Sequence, residues 1–538
     1  MKKVIFFIII FAFTNKDILA QSSKYPSLIK LCKELRLLER TSLPSGVPDY
    51  RVETIKKIKG TLEQYKIRLA KIDTTAWLIE QKVDYALLKA EMNGLDYNCR
   101  ILQPWVRDPA FYAIIFSEQS DTPEHEGPTS FAAIELWQYT FPLSTEEEKK
   151  LIAQLKIIPP LYEQAKVNLK GNAKDLWSAG ISNMKEQLLF LNEITQNTTT
   201  NSIALKDAIS KAKNATNQLI AWLEKQLPIK IGPSGIGKEN YTWHLKNVLL
   251  VPFSWEEEVT LLSRELTRAH ASLQLERERN RNLPEMKAFS NEEDFKKGTD
   301  LSLKRMMDFL KNKKILQIKE YMEPEVRKHL GGFIPENKRN FFANISFREP
   351  NVLYAHSSHW FEIARQREEP HTSELRREAL PYNMWMQRSE GLATAFEETL
   401  MHAGLWDDTP RARELVWIML AQRCARGLAA LYAQANMINY EQARGFQVEW
   451  TPKGWTGDES LVGFEQHLYL RQPGYGTSYV TGKYFIERLL MDMSRKLGND
   501  FNLYTFFDSF YNAGIIPISL VRYQMTGNDN EIKNILKK

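Results

Sequence analysis

The sequence predicts a mostly α protein. Apolar residues recur at helical spacing along most of the chain, strand-like alternation is scarce, and helix-start signatures precede several of the longest periodic segments. Taken in order, 55–69 and 77–93 read as the first two helices, the second carrying Val83, Leu87, Ala90 and Met92 on a broad apolar face. A Trp- and Pro-rich corner follows, from Leu102-Gln103-Pro104-Trp105 to Asp108-Pro109. Ser144 and Thr145 ahead of Glu147 and Glu148 predict a capping box for a helix over 146–157, because hydroxyl and carboxylate each satisfy an orphan backbone N–H. Pro159-Pro160 stops that helix. The segments 174–193 and 203–227 predict a helical hairpin across the polar run Asn197 to Asn201. Gly232-Pro-Ser-Gly-Ile-Gly-Lys238 has the glycines and lysine of a phosphate-binding loop, but Glu239 stands where a hydroxyl should meet magnesium and no hydrophobic strand leads in. It therefore reads as a turn before a short helix. Ser254 with Glu257 caps a long helix over 255–279, whose charged end reads as a solvated face.

The polar stretch 282–300 reads as a linker, dividing an N-terminal helical region, 21–282, from a C-terminal one, 283–538, with both halves forming one groove. Trp360, Trp385, Trp406, Trp417, Trp450 and Trp455 all fall in the later part. Thr409-Pro410 starts a helix there, proline being tolerated at the first helical position. That helix runs through 416–420, apolar on every side and therefore buried. Arg423 and Arg426 lie on its second half, so each needs a carboxylate, from Glu390 or Glu397 or from a ligand. Cys32, Cys99 and Cys424 allow one disulfide at most, and Cys424 reads as a small buried hydrophobe.

With 538 residues, 43% of them hydrophobic, the chain is long enough for more than one core. Lys2 and Lys3 before an apolar run over 4–14, then Ile18-Leu19-Ala20, predict an export signal over 1–20. That apolar run is too short to span a bilayer, and no later segment approaches eighteen uninterrupted apolar residues. The expectation is a soluble protein in the periplasm or outside the cell, with no membrane span after cleavage. Charge is nearly balanced, 72 Lys and Arg against 66 Asp and Glu, which argues against a nucleic-acid partner because that would want a concentrated basic face.

The stretch 354–405 holds four of the nine histidines beside a cluster of carboxylates. His356 and His359 stand three apart, and Glu362 continues the series, so a helix places them on a shared face. Glu390, Thr394 and Glu397 fall on one stripe of a second helix, opposite Leu392, Ala395 and Phe396. Two helices then present imidazoles and carboxylates to one pocket, with Glu362, Glu397 or His402 surrounding the ligands.

Three segments also carry a family resemblance. Glu390-Gly391-Leu392-Ala393, Arg423-Cys424-Ala425-Arg426, and Pro473-Gly474-Tyr475-Gly476-Thr477-Ser478-Tyr479-Val480-Thr481-Gly482-Lys483 resemble, in order and spacing, successive motifs of the bacterial domain-of-unknown-function family 885 (DUF885). Val83-Asp84-Tyr85 through Trp105 and Asp108-Pro109 resembles that family as well. The family is in turn similar to the all-helical zinc carboxypeptidases of the Taq type, so the resemblance implies a deep helical groove and a zinc cofactor. Its diagnostic H-E-x-x-P-G-H is broken here. If His359 matches the last histidine, Leu353 and Tyr354 replace the His-Glu pair; if His356 matches the first, Ser357 replaces the glutamate. The resemblance implies His359 and Glu390 as retained metal ligands, with His356 as the third by substitution. Glu362, Glu397 or Glu398 would replace the base, Tyr479 would join the catalytic set, and Arg423, Arg426 and Lys483 would hold the substrate.

Two functions follow. One is an exported, metallopeptidase-like hydrolase acting on a peptide or a small carboxylate-bearing molecule. The other is a pseudo-enzyme that keeps the groove, has lost the chemistry, and binds a peptide or partner protein.

Overall fold

The computed structural model describes residues 24–198, 202–456 and 459–537; the expected export signal and part of the 197–201 turn lie outside them. The structure is 69% helical, so the all-α expectation holds. The helices Val52–Ala70, Ile79–Tyr97, Lys174–Asn197 and Ile203–Gln226 stand where periodicity placed them. Both capping boxes form: Ser144 accepts from the Glu147 amide, and Ser254 from that of Glu257. Pro159 and Pro160 end one helix and also occupy the first turn of the next, Ile158–Asn168, where a missing N–H costs nothing. The 232–238 segment is a turn before the short helix Lys238–Asn247.

Apolar side chains gather in two main clusters. One joins most of the helices before about residue 226, with Leu375, and the other runs mainly from Ile236 to Ile535 but also takes in Val83, Leu87, Ala90 and Tyr97 of the early helix Ile79–Tyr97. The later core thus takes in Tyr241, Trp255 and Leu262, well ahead of the expected division at 282. The expected linker is only partly loop, because Asn291 caps a helix, Glu292–Asn312, whose Phe295, Leu303 and Met306 are buried. Its charged residues cover the outer face of an amphipathic helix. The three cysteines are all buried and unpaired. No described helix is long and apolar enough to cross a membrane.

Six helices build the site: α1 (Trp255–Arg279), α2 (Ser358–Glu368), α3 (Met386–Ala403), α4 (Ala412–Gln434), α5 (Glu459–Arg471) and α6 (Tyr475–Leu497). Helix α3 packs lengthwise on α6, and their closest approach is glycine on glycine. A Cβ on Gly482 would lie 2.0 Å from the Gln387 carbonyl oxygen, and one on Gly391 would lie 2.5 Å from the Gly482 backbone. Only hydrogen at both positions lets the helices touch, which brings Glu390 within reach of Tyr475.

The little β structure present has a positional role. Strand β1 (Ile115–Phe116) pairs in parallel with β2 (Ile134–Glu135) and ties off the intervening loop. Gly127, at φ +82°, donates its amide to Gln472 Oε1 at 2.6 Å, and Arg471 Nη2 donates to the Pro128 carbonyl at 2.8 Å. The loop is thereby fixed to the junction of α5 and α6.

Candidate metal centre

His356 sits on a single 3₁₀ turn, Ala355–Ser357, and His359 on the first turn of α2. Glu390 reaches them from α3, across the gap that made their convergence the sharpest expectation. His359 Nε2 lies 3.3 Å from Glu390 Oε2, and His356 Nε2 lies 3.8 Å from the same oxygen. One ligand atom from each residue falls within 4.8 Å of the others, and among the described residues this is the cluster that could hold a metal ion. Tetrahedral donors at about 2.0–2.2 Å from zinc stand roughly 3.4 Å apart. The His359 and Glu390 atoms already have that spacing, and His356 Nε2 stands slightly farther from Glu390 than a shared ion requires.

Glu397, two turns along α3 from Glu390, accepts from both Nη atoms of Arg423 at 2.5 and 2.7 Å and faces His356 Nδ1 at 3.2 Å. An imidazole that ligates through one nitrogen is commonly oriented by a carboxylate on the other, and Glu397 stands in that place. Burial disfavours ionising Glu390, yet the neighbouring His359 outweighs it and lowers the carboxyl to about 2. Burial likewise opposes charge on His359, but the Glu390 carboxylate lifts the imidazole to about 9. His356 is pushed down, by burial and then by Arg423. The metal-free pair is therefore an imidazolium and a carboxylate. It is an imperfect one, since neither ring nitrogen of the buried His359 has a hydrogen-bond partner. A divalent ion would satisfy the nitrogen that faces Glu390. Two imidazoles, one carboxylate and an orphaned ring nitrogen fit zinc.

The other expected residues are distributed differently. Glu362 turns away from the histidines and pairs with Arg388, both side chains buried. Three residues advance an α-helix by about 300°, so each step of the His356, His359, Glu362 series drifts by about 60°, and the 3₁₀ turn adds to the drift. Arg423 meets Glu397 as expected, but Arg426 pairs with Glu465 of α5 rather than with Glu390. Lys483 lies between Glu398 at 3.0 Å and Glu487 at 2.5 Å, away from the histidines, and Arg268 also holds Glu398. Neither Lys483 nor Glu362 reaches the ligand cluster. His402 is exposed, and so does not surround the ligands. Tyr479 does face the site: its ring lies near-parallel to that of His356 at 6.4 Å, and the Arg426 guanidinium sits 4.0 Å from its centroid.

Beside the cluster opens a cavity of about 470 Å³. His356, Glu390, Arg426 and Tyr479 are among its lining residues, and Leu330, Ile334, Phe342 and Phe347 contribute apolar surface. Three polar residues here were not anticipated. Glu465 is the Arg426 partner, Tyr475 donates toward Glu390 Oε1 at 2.5 Å, and Glu126 arrives from the loop between β1 and β2 to share that same hydroxyl. Tyr475 lay inside a quoted motif without a role. Glu126 had no local signal at all, because its loop has no period and reaches the site only through long-range pairing.

The fold is similar to two solved structures. One is a protein from Shewanella oneidensis described as a lipoprotein of unknown function, at TM-score 0.65 and 14% identity, covering 95% of this chain and 100% of the other. The second is a protein from Colwellia psychrerythraea described as a lipoprotein, at TM-score 0.66 and 15% identity over 94% and 98% of the two chains. At such identities the likeness concerns the fold. No family model and no curated protein matches the chain.

Proposed function

We propose that this protein is a metal-dependent hydrolase that acts outside the cytoplasm on a peptide or a related small, carboxylate-bearing substrate. The observation that carries the proposal is the convergence of His356, His359 and Glu390, of which His356 and Glu390 line a cavity of about 470 Å³, large enough for a small substrate. The motif resemblance to family 885 and to Taq-type carboxypeptidases supports the same chemistry. Export is supported by the apolar N-terminal run and by the description of both similar structures as lipoproteins.

His356, His359 and Glu390 would hold the ion, which when bound supplies a Lewis acid and a water that ionises near neutral pH. Glu397 keeps His356 oriented, with Arg423 fixing Glu397 in turn. Of the three cations expected to hold a substrate carboxylate, Arg426 is the one that lines the cavity, so recognition of that carboxylate falls to Arg426, steadied by Tyr479. The apolar lining favours a substrate with a large hydrophobic side chain.

The pseudo-enzyme reading has one observation in its favour: Glu362, Glu397 and Glu398, the residues offered as replacement bases, are each already paired with an arginine. Metal analysis of protein purified without a histidine tag separates the two. The hydrolase reading expects about one zinc per chain, lost in His359→Ala, and cleavage of small peptides with apolar side chains; a parent protein that takes up no zinc leaves the binding role.

A further inference from the structure

The Tyr475 hydroxyl lies between two carboxylates, within hydrogen-bond reach of Glu390 Oε1 at 2.5 Å and of Glu126 Oε1. A phenol has one hydrogen to give. Both carboxylates cannot accept it, so one of them must bring its own proton and donate to the tyrosine oxygen. Glu390 stays ionised, because it faces the histidines. Among the described residues Glu126 makes no ion pair; it shares the cavity wall with Asp121, whose charge raises the Glu126 carboxyl, and with Arg426, whose charge lowers it. The order of protons is therefore Glu126 O–H to Tyr475 oxygen, and Tyr475 O–H to Glu390. Burial independently raises the Glu126 carboxyl to about 7.

We infer that Glu126 is a neutral carboxylic acid at the edge of the site and serves as the general acid for the leaving group, a role that rests on the hydrolase reading above. Hydrolysis joins the water oxygen to the carbonyl carbon and breaks the bond to the leaving nitrogen or oxygen, which departs with an electron pair and needs a proton. Glu126 supplies that proton, and the proton lost by water restores the acid. The loop holding Glu126 is tied by the β1 and β2 pair and by Gln472 and Arg471, so the acid is positioned before substrate arrives. This also accounts for a site without the glutamate of the H-E pair. Its acid comes from the other half of the chain.

The test begins with infrared difference spectra of the full chain, metal-free and below neutral pH. The carbonyl band of a protonated, buried carboxyl should vanish in Glu126→Gln and shift in Tyr475→Phe. A spectrum unchanged by Glu126→Gln overturns the inference, whatever the activity. With zinc content equal to the parent's, Glu126→Gln should slow peptide cleavage by about 100-fold or more and remove the alkaline limb of the pH profile. The loss should be smaller for a nitrophenyl ester, whose leaving group needs no proton. Equal losses on both substrates overturn the acid role. A parent that binds no zinc defeats the hydrolase reading instead, while the band still decides where the proton sits.

Discussion

Helices α2 and α3 are bridged twice by opposite charges, once by His359 with Glu390 and once by Glu362 with Arg388. The two bridges are one turn apart on α2, and they have opposite polarity. Glu362 and Arg388 form a two-residue ion pair whose polar atoms lack well-formed hydrogen bonds, with the guanidinium 4.1 Å from the Phe510 ring centroid and 5.5 Å from that of Tyr511, and Glu362 lines a cavity of about 230 Å³. His359 and Glu390 differ in having a third metal-ligating side chain, His356, converging on them. Buried charge alone therefore does not mark a site, since a self-neutralised pair holds helices together. Incomplete hydrogen bonding beside a cavity does not mark one either, since both bridges share it; the convergence of three ligand-type side chains marks a place for an ion.

The largest effect that would break this contrast is on stability. Glu362→Ala leaves Arg388 buried without a carboxylate, and breaking such a pair costs about 3–5 kcal/mol. Urea unfolding of the zinc-free protein should show that loss, while the surviving folded fraction still binds zinc. Zinc uptake abolished by Glu362→Ala in folded protein would place Glu362 in the site after all. His359→Ala should behave in the opposite way. Zinc at a hundred times its dissociation constant should stabilise the parent by about 2.7 kcal/mol, and His359→Ala should remove that increment.

This contrast also explains what the sequence made legible. Helix content and both capping boxes follow from local spacing, which survives into the fold, whereas the meeting of His356 and His359 with Glu390 was legible only from their ligand chemistry and the motif resemblance. The partner of each charge does not follow from it. Glu362 looked equivalent to the histidines because a three-residue step nearly repeats a helical face, and the residual drift is enough to carry it to Arg388. Arg426 could be assigned a buried carboxylate, but choosing Glu465 over Glu390 depends on how α5 crosses α4. Glu126 was illegible because a loop fastened by a two-residue parallel pair has no sequence signature.

The next effect is on pH. His359 rises from 6.5 to about 9 in the folded protein, so its contribution is fully present below pH 6.5 and is lost as pH climbs through about 9. Glu390 falls from 4.5 to about 2, so its contribution is present above pH 4.5 and is lost as pH drops through about 2. For the metal-free protein the shared pair is then most stabilising between pH 4.5 and 6.5. Zinc must displace the His359 proton, so its affinity should rise about tenfold per unit, or about 1.4 kcal/mol, as pH approaches 9. Zinc titrations across that range check the slope. A flat profile would mean that His359 is neutral and not paired with Glu390 as described.

The smallest effect tests whether the two bridges are independent of the surrounding scaffold. Ser254 caps α1, a helix that packs on α4 and α6 and contributes to neither bridge. Replacing it with alanine leaves the Glu257 amide without its acceptor, at a cost of about 1 kcal/mol. Combined with Glu362→Ala, the losses should add within about 0.5 kcal/mol, because distant sites that share no partner do not couple. Zinc affinity should be the same in Ser254→Ala as in the parent. A weaker zinc affinity would show that the ligand geometry depends on α1, through its contacts with the helices that carry Arg423 and Tyr475. The three-donor bridge would then owe its shape to the whole helical frame, and its distinction from the Glu362 and Arg388 pair would be one of degree.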